Sequence, residues 1–343
     1  MNVYASYNAI NSKLHTRKRT LLTREDWNKV LNYTTVAQFT EFLKKRYGYS
    51  VHLEQSRIED VHRGELEVLL KRYVVCEIEK MIHYFSGPYK DFIKTLLLQY
   101  DIYDIQLILR AIAREENIND LQRHFVHSSQ NTKVAYDKLI GSSNVTQFVE
   151  GLKGTIFYED LKTMTQEDVM KREFHMEMKL HILYYKLLMK KAKKLTPSDY
   201  EVVQKIIGLK IDCLNIQWIY RATKYYDISR EEIMVYSLPG GNISYNSLKK
   251  LVYAKSFEDF EKKAEKYLGS EVFNKKGDTL LEKRMETIIY KSIHNINEEN
   301  SIALPLRYIF ILQIEIEDLI AVTEGIRYGL DQNEIKKYLV YTL

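Results

Sequence analysis

The sequence DIYDIQLILRA at residues 101–111 recurs as DCLNIQWIYRA at 212–222 and, in a more divergent form, as EIEDLIAVTEG at 315–325. Each copy of this signature has an acidic residue, an Asp or Asn three residues later, and an aliphatic residue directly after that. The copies are 111 and 103 residues apart. Such nearly constant spacing indicates that one unit of about 110 residues is present three times.

A second landmark repeats in the same order as the signature. It is a short segment with a central phenylalanine, found at Val36–Leu43, Val145–Leu152 and Phe257–Ala264, and its phenylalanines are 109 and 112 residues apart. We predict a small helix here, capped by Thr34–Thr35 in the first copy and by Ser142–Asn144 in the second. A proline suited to a first helical turn also stands before each signature, at Pro88, Pro197 and Pro305.

The composition favours packed helices. The 343 residues include only 13 Gly and 4 Pro, while 45% are hydrophobic and 28% are charged, which excludes a disordered or collagen-like chain. Within each unit, apolar residues recur at the three- and four-residue spacing of amphipathic helices. We therefore predict an all-α fold of three similar helical domains without flexible linkers, at residues 1–120, 121–230 and 231–343.

The charge balance and the apolar segments limit the classes of partner. The 51 basic and 46 acidic residues nearly cancel, and no nucleic-acid-reading motif accompanies the 27 tyrosines, so we expect no nucleic acid partner. No stretch reaches the ~18 to 20 apolar residues that a membrane span requires. The first residues lack the basic start and apolar middle of a signal peptide. We expect a cytoplasmic protein without a transmembrane segment.

The usual patterns of catalytic and metal sites are missing. His175 and His181 have the wrong spacing for two ligands on one helix face, and His124 and His127 have no convincing third ligand nearby. No Gly-x-Ser-x-Gly sequence occurs. Cys76 and Cys213 lie in apolar helical patterns and are expected to be buried and reduced. The sequence therefore predicts no catalytic residue, no metal site and no cofactor.

The paired signature acids could in principle support acid–base chemistry. Their pattern argues for a structural or interface role instead, because it occurs three times and one member is an amide. Acids suit helix N-termini, and they can also pair with bases such as Arg110 or Arg221 from a neighbouring helix. The candidate structural or interface residues are Asp101, Asp104, Arg110, Asp212, Asn215, Arg221, Glu315, Asp318 and Glu324.

The triplicated signature, an acid followed by Asn or Asp and later by Arg-Ala or Glu-Gly, resembles the family of C subunits of V-type and A-type ATPases, called d subunits in eukaryotic complexes. The resemblance covers essentially the whole chain. It implies a funnel of three helical domains around a pseudo-threefold axis. In that family the funnel sits on the cytoplasmic face of the membrane rotor ring and receives the tip of the central shaft, without an active site.

The resemblance leaves several points open. The third copy departs most, with Glu324 where the others have Arg110 and Arg221, so equal contacts in the three units are not assured. The transported ion is H⁺ or Na⁺. Candidate contact segments are the Pro239–Asn242 loop and the basic helix end Lys190–Lys194. The alternative function is a free-standing soluble scaffold, in which three helical units stack as an open solenoid.

Overall fold

The computed structural model describes residues 3–53, 63–116, 118, 120–171, 173–226, 228–273, 280–296 and 301–341. Across these residues the regular secondary structure is entirely helical, which confirms the predicted all-α class. None of the helices in this part of the chain is both long enough and apolar enough to cross a membrane.

The helices fall into three successive groups. The first group is α1 (Val3–Arg17), α2 (Arg24–Val30), α3 (Val36–Lys44), α4 (Tyr47–Leu53), α5 (Arg63–Ile82), α6 (Gly87–Thr95) and α7 (Leu98–Ala113). The second is α8 (Tyr136–Leu139), α9 (Val145–Gly151), α10 (Tyr158–Leu161), α11 (Gln166–Lys171), α12 (Glu173–Ala192), α13 (Pro197–Val203) and α14 (Leu209–Tyr225). The third is α15 (Arg230–Val235), α16 (Tyr245–Val252), α17 (Phe257–Leu268), α18 (Leu281–His294), α19 (Ala303–Arg327) and α20 (Gln332–Lys336). Short 3₁₀ turns occur at Lys18–Thr20 and Leu121–His124, and a π-helical turn, Gln204–Gly208, joins α13 to α14.

Equivalent N-caps begin the three phenylalanine helices, α3, α9 and α17. The capping side chains are those of Thr35, Asn144 and Ser256, and each accepts a hydrogen bond from the backbone N–H three residues later. Such a cap satisfies an N–H group that the helix itself leaves unbonded. The predicted caps at Thr35 and Asn144 are thus confirmed, and Ser256 extends the pattern to the third copy.

The prolines occupy first helical turns, as the sequence predicts. Pro88 lies in the first turn of α6, and Pro197 begins α13. Pro305 lies in the first turn of α19, which continues through the third signature as one helix of 25 residues. In the first and second groups, the proline and the signature lie in two successive helices, α6 and α7 or α13 and α14. The third group therefore differs from the other two in its helix boundaries.

The helices of the three groups pack on one another in a cyclic order. Each signature helix packs on the long helix of the next group: α7 on α12 and α14 on α18. The last signature helix, α19, packs on α5 of the first group. The phenylalanine helices follow the same order, with α9 on α7, α17 on α14 and α3 on α19. The third group therefore contacts the first through the same elements that join the other groups.

Residues from the two ends of the chain meet at this third contact. The Trp27 ring stacks on that of Tyr341, with centroids 5.2 Å apart. The Gln332 side-chain amide donates a hydrogen bond to Asn32 Oδ1 at 2.6 Å. A stacked aromatic pair and a polar contact thus join α2 and its following turn to the segment after α19.

The signature also ends in a small buried residue in all three copies. Ala111 and Ala222 are almost completely buried, and Gly325 is buried at the same place on α19. A Cβ atom on Gly325 would lie 2.5 Å from Cγ1 of Ile335 on α20. Only a residue without a side chain allows α20 to approach α19 this closely.

We predict that Gly325→Ala lowers the free energy of unfolding by about 1–3 kcal/mol, because the added methyl group overpacks the contact with Ile335. Chemical denaturation of the full-length chain measures this loss. Ile335→Ala in the same background should recover part of it, since the two substitutions act at one contact. Strictly additive losses would contradict this explanation.

Candidate functional site

The second signature residue of the first unit, Asp104, is buried and holds the start of the next unit. Its carboxylate accepts hydrogen bonds from the backbone N–H groups of Val126 and His127, at 3.0 and 2.9 Å. His127 Nδ1 lies 2.7 Å from the same carboxylate. Burial raises the pKa of Asp104, and these hydrogen bonds oppose that rise. One short segment therefore satisfies a carboxylate that would otherwise be costly to bury.

Asp318 makes the equivalent contact in the third unit. It accepts hydrogen bonds from the backbone N–H groups of Val340 and Tyr341, at 3.0 Å each. These partners stand 22 and 23 residues after Asp318, the same separations as those of the backbone partners of Asp104. Lys283 Nζ lies 3.5 Å from the carboxylate. Burial raises the pKa of Asp318 to about 6, while Lys283 acts in the opposite direction.

Asn215 occupies this position in the second unit and also binds backbone 23 residues later. Its Oδ1 accepts a hydrogen bond from the Leu238 N–H at 2.7 Å, and its Nδ2 donates one to the Leu238 carbonyl at 3.0 Å. An amide can accept and donate at once, so it satisfies both backbone groups without burying a charge. The other two units place His127 Nδ1 or Lys283 Nζ beside an acid, and the described contacts of the amide include no such side chain.

The first signature residue of the first unit, Asp101, binds hydroxyl groups of the second unit. Its carboxylate accepts hydrogen bonds from Thr132 Oγ1 at 2.6 Å and from the Tyr136 hydroxyl at 3.0 Å. The Tyr136 ring also stacks on the His127 ring, with centroids 3.9 Å apart. Burial raises the pKa of Asp101 despite the two hydroxyl donors. Asp101 and Asp104 thus bind two parts of one connected segment.

Asp212 binds the start of the third unit through backbone groups. It accepts hydrogen bonds from the N–H groups of Asn242 and Ile243, at 3.0 Å each. A Cβ atom on Gly241 would lie 2.2 Å from Asp212 Oδ1, so glycine allows the loop to approach the acid. Burial raises the pKa of Asp212 to about 6. The Pro239–Asn242 loop, predicted as a partner contact, is therefore held at one side by the signature helix.

Glu315 binds the first unit and so joins the last unit to it. Its carboxylate accepts hydrogen bonds from the Leu22 N–H, at 2.8 Å, and from the Tyr49 hydroxyl. Leu22 precedes α3 by 14 residues, just as Ile243 precedes α17 by 14. Glu315 therefore binds the first unit at the position where Asp212 binds the third. Burial raises the pKa of Glu315 to about 7.

The signature arginines bind glutamates on the next unit. Arg110 pairs with Glu177 on α12, and Arg221 pairs with Glu282 on α18. The described contacts of the signature acids are with backbone and hydroxyl groups and, for two of them, His127 or Lys283. The pairing of the acids with these arginines stays a prediction, because the described partners of the arginines are Glu177 and Glu282. The arginines add an ion pair to two of the three contacts between units.

Two further candidates from the sequence lie elsewhere. Glu324, which replaces the signature arginine in the third unit, lies 3.7 Å from Arg327 of the same helix. In the basic helix end Lys190–Lys194, Lys191 Nζ lies 2.7 Å from Asp91 Oδ2. Both atoms of this second pair are on solvent-accessible side chains of different units, and pairs of this kind contribute little to stability.

Asp199 is a buried contact that sequence reasoning missed. Its carboxylate accepts hydrogen bonds from the Tyr7 hydroxyl at 2.8 Å, from the Tyr89 hydroxyl and from the Ile302 N–H at 2.8 Å. These donors belong to the first and third units, while Asp199 belongs to the second. Burial and the nearby carboxylate raise the pKa of Tyr7. Asp199 is thus one point at which all three predicted units meet.

Six helices, two from each predicted unit, line a recess of about 370 Å³. They are α5 and α7, α12 and α14, and α18 and α19. Three lining residues stand two positions before the first signature acid of their unit: Gln99, Lys210 and Gln313. Sequence reasoning missed these residues, although their equal spacing from the signature was a usable signal.

The structure gives no support to a metal site in the part of the chain that it describes. No group of three or more His, Cys, Asp or Glu side chains there is arranged to hold a metal ion. Cys76 is half-buried and Cys213 is buried, and both are free thiols. The polar residues described above hold helices together, and the recess described above lies between the three predicted units.

The fold and these contacts define an all-helical protein, across the residues that the structure describes, whose three successive groups of helices pack in cyclic order around a recess. A model of the ATP synthase (C/AC39) subunit family matches residues 10–338, and the chain belongs to this family.

The chain is 25% identical to the C subunit of the A-type ATP synthase of Archaeoglobus fulgidus, over 98% of this chain and 96% of the relative. The corresponding C subunit of Methanococcoides burtonii is also 25% identical, over 98% and 94% of the two chains. The C subunit of Thermococcus onnurineus is 21% identical, over 97% and 90%. The resemblance inferred from the signature is confirmed.

We predict that Asn215→Asp lowers the free energy of unfolding by about 3 kcal/mol at neutral pH. The substitution removes the donor to the Leu238 carbonyl and buries a carboxylate against it. Denaturation in urea measures the effect, and Gln217→Glu on the same helix is the matched control. The loss should shrink in acid, because the introduced carboxyl group can donate a hydrogen bond once it is protonated. Wild-type stability of the variant at neutral pH would disprove the role of this contact.

We also predict that Glu315 makes the protein less stable as the pH rises. Its folded pKa of about 7 lies above the ordinary value of 4.5, so between these values the folded chain keeps a proton that the unfolded chain releases. The free energy of unfolding therefore falls across this window, by about 3 kcal/mol from this group. Glu315→Gln should remove that part of the slope, measured by urea denaturation at several pH values.

The exposed residue Glu25 supplies the control for this experiment. Glu25→Gln makes the same chemical change at an exposed side chain, and its profile gives the reference against which the loss of slope in Glu315→Gln is measured. Parallel pH profiles for the wild type and Glu315→Gln would show that Glu315 has no raised pKa in the folded protein.

Proposed function

We propose that this chain is a non-catalytic rotor subunit of a V/A-type rotary ATPase, which couples the central shaft to the membrane rotor ring. ATP hydrolysis in the soluble motor turns the shaft, the shaft turns this subunit, and the subunit turns the ring that carries H⁺ or Na⁺. The observation that carries this proposal is the recess, because helices of all three units surround it in cyclic order. The family membership and the names of its relatives support the same assembly.

The contacts between units suit the transmission of torque. Asp101 and Asp104 bind the second unit, Asp212 and Asn215 bind the third, and Glu315 binds the first. Asp318 holds the segment after α20 within its own unit. Separating two units would leave buried polar groups without partners, which costs about 1–3 kcal/mol for each group. Since the third unit binds the first in the same way, a load applied at the recess is shared by three contacts.

We propose that the shaft tip enters the recess and that another face of the molecule rests on the ring. Three exposed apolar residues are candidates for the ring contact: Tyr47, Ile156 and Tyr267, with 84%, 42% and 39% of each residue exposed. They lie near the ends of the three phenylalanine helices and are 109 and 111 residues apart. Like contacts repeated around an axis fit a partner made of identical subunits.

This assembly would place the chain on the cytoplasmic face of the membrane, with domains at 1–120, 121–230 and 231–343 arranged as a funnel. The contacts of α19 with α3 and α5 favour this arrangement over the alternative of a free-standing scaffold. In an open solenoid each unit touches only its neighbours in sequence, and the last unit would not reach the first. No nucleic acid partner is part of the proposal.

We predict that the triple variant Tyr47→Ser, Ile156→Ser and Tyr267→Ser lowers ATP-driven ion transport at least tenfold, because it removes the apolar contact with the ring. ATP hydrolysis by the isolated soluble motor should remain unchanged. Transport is measured in vesicles that contain the intact complex, and hydrolysis is measured on the detached motor.

The matched control replaces three exposed apolar residues that do not occupy equivalent positions in the three units: Tyr225, Val235 and Tyr245. This control variant should transport at the wild-type rate. Loss of hydrolysis by the isolated motor in the first variant, or equal transport by both variants, would contradict the proposed coupling role.

A further inference from the structure

Two of the four charged side chains that line the recess, Lys71 and Glu286, already have partners of opposite sign. Lys71 Nζ lies 2.8 Å from Glu67 Oε1, on the same helix. Lys283 Nζ lies 2.8 Å from Glu286 Oε2. These two pairs therefore present little net charge to a molecule that enters the recess.

His181, which also lines the recess, adds no charge at neutral pH. Desolvation lowers its pKa to about 4, and the nearby Lys210 acts in the same direction. The imidazole is thus neutral under physiological conditions and competes neither for an acid nor for a base.

Lys210 and Glu317 are the two charged residues of the recess without an ion-pair partner among the described residues. The Lys210 ammonium lies 5.1 Å from the centroid of the Phe310 ring, and desolvation lowers the pKa of Lys210. Desolvation by the walls of the recess also raises the pKa of Glu317. Near them, Gln313 Oε1 is buried without a hydrogen bond. Lys71 and Lys283 oppose the rise in the pKa of Glu317, and Glu286 and Glu317 oppose the fall in the pKa of Lys210. Neither charge is in a direct ion pair among the described residues, so a bound partner could supply that contact to each of them.

The two charges come from different units, at positions that are uncharged elsewhere. Two residues before the first signature acid stand Gln99, Lys210 and Gln313 in the three units. Two residues after that acid stand Tyr103, Leu214 and Glu317. At these positions the first unit therefore carries no charge, the second carries one cation and the third carries one anion.

We propose that Lys210 and Glu317, the recess charge pair, select a single rotational setting of the shaft tip. The inference rests on the proposed function above. The partner it describes is a helical rod whose tip presents an acidic side chain toward Lys210 and a basic side chain toward Glu317. Similar helices surround the recess in all three units, so shape alone distinguishes the three settings poorly.

Charge distinguishes the three settings much better than shape. In the correct setting both desolvated charges gain a partner. In either of the other settings, Lys210 and Glu317 each face a neutral group or a charge of the same sign on the shaft tip. Such a contact is strongly unfavourable in a desolvated site. A shaft that fits in only one setting cannot advance by a third of a turn relative to this subunit under load.

The test moves the cation by one unit without changing the total charge. Purified shaft subunits of the rotary ATPase from the same organism are bound to the full-length chain, and affinity is measured by calorimetry. Lys210→Gln should weaken binding about thirtyfold, because the shaft's acidic group loses its partner. Adding Gln99→Lys to that variant restores the charge at the equivalent position of the first unit, and should not restore binding.

Recovery of wild-type affinity in the Lys210→Gln, Gln99→Lys variant would overturn the proposal, since net charge alone would then explain binding. Glu317→Gln gives an independent measurement with the same expected loss. Thermal unfolding of each variant checks that the fold is intact, and Gln99→Lys alone is the control for the added lysine, which should bind as the wild type does.

The outcomes also separate this inference from the proposed function. If the wild-type chain does not bind the shaft subunits at all, the coupling role fails together with the inference. If the wild type binds, and Lys210→Gln and Glu317→Gln bind equally well, the recess charge pair does not select a setting, while the coupling role stands.

Discussion

Buried polar side chains on the signature helices hold the three units together. A carboxylate or an amide in a protein interior is costly unless hydrogen bonds satisfy it. Asp104, Asn215 and Asp318 obtain those bonds from backbone groups 22 or 23 residues later. The contacts are specific because the backbone segment must keep its position for the buried group to remain satisfied. The apolar core around these residues contributes the larger hydrophobic stabilisation, and the polar contacts fix how one unit meets the next.

The cyclic order of these contacts relates the fold to the proposed role. Glu315 binds Leu22 and Tyr49, so the last unit is attached to the first by the same kind of contact that joins the others. The recess therefore has walls from all three units, each supported on both sides. A coupling subunit requires such support, because torque entering at the recess must leave through another face without separating the units.

The features that the sequence predicts well are local. The caps at Thr35 and Asn144 and the turns at Pro88 and Pro197 depend on a few adjacent residues, so their chemistry can be read directly. The partners of the signature residues could not be predicted, because Val126, Leu238 and Val340 lie outside the helices in segments without a strong pattern. The repeat spacing identified the positions of the signature residues, but it did not identify the groups that these residues contact. For the same reason the glutamates that pair with Arg110 and Arg221 were not predicted, since helix periodicity does not reveal which neighbouring side chain is in reach.

Attachment of the third unit to the first is best measured by pulsed electron paramagnetic resonance in solution. Spin labels are placed at Lys29 and Asn333, which are exposed and lie near the contact between Asn32 and Gln332, after Cys76 and Cys213 are replaced by serine. A cyclic arrangement predicts one short, narrow distance between the labels. A broad distribution of long distances would show that the units form an open array and would contradict the cyclic arrangement.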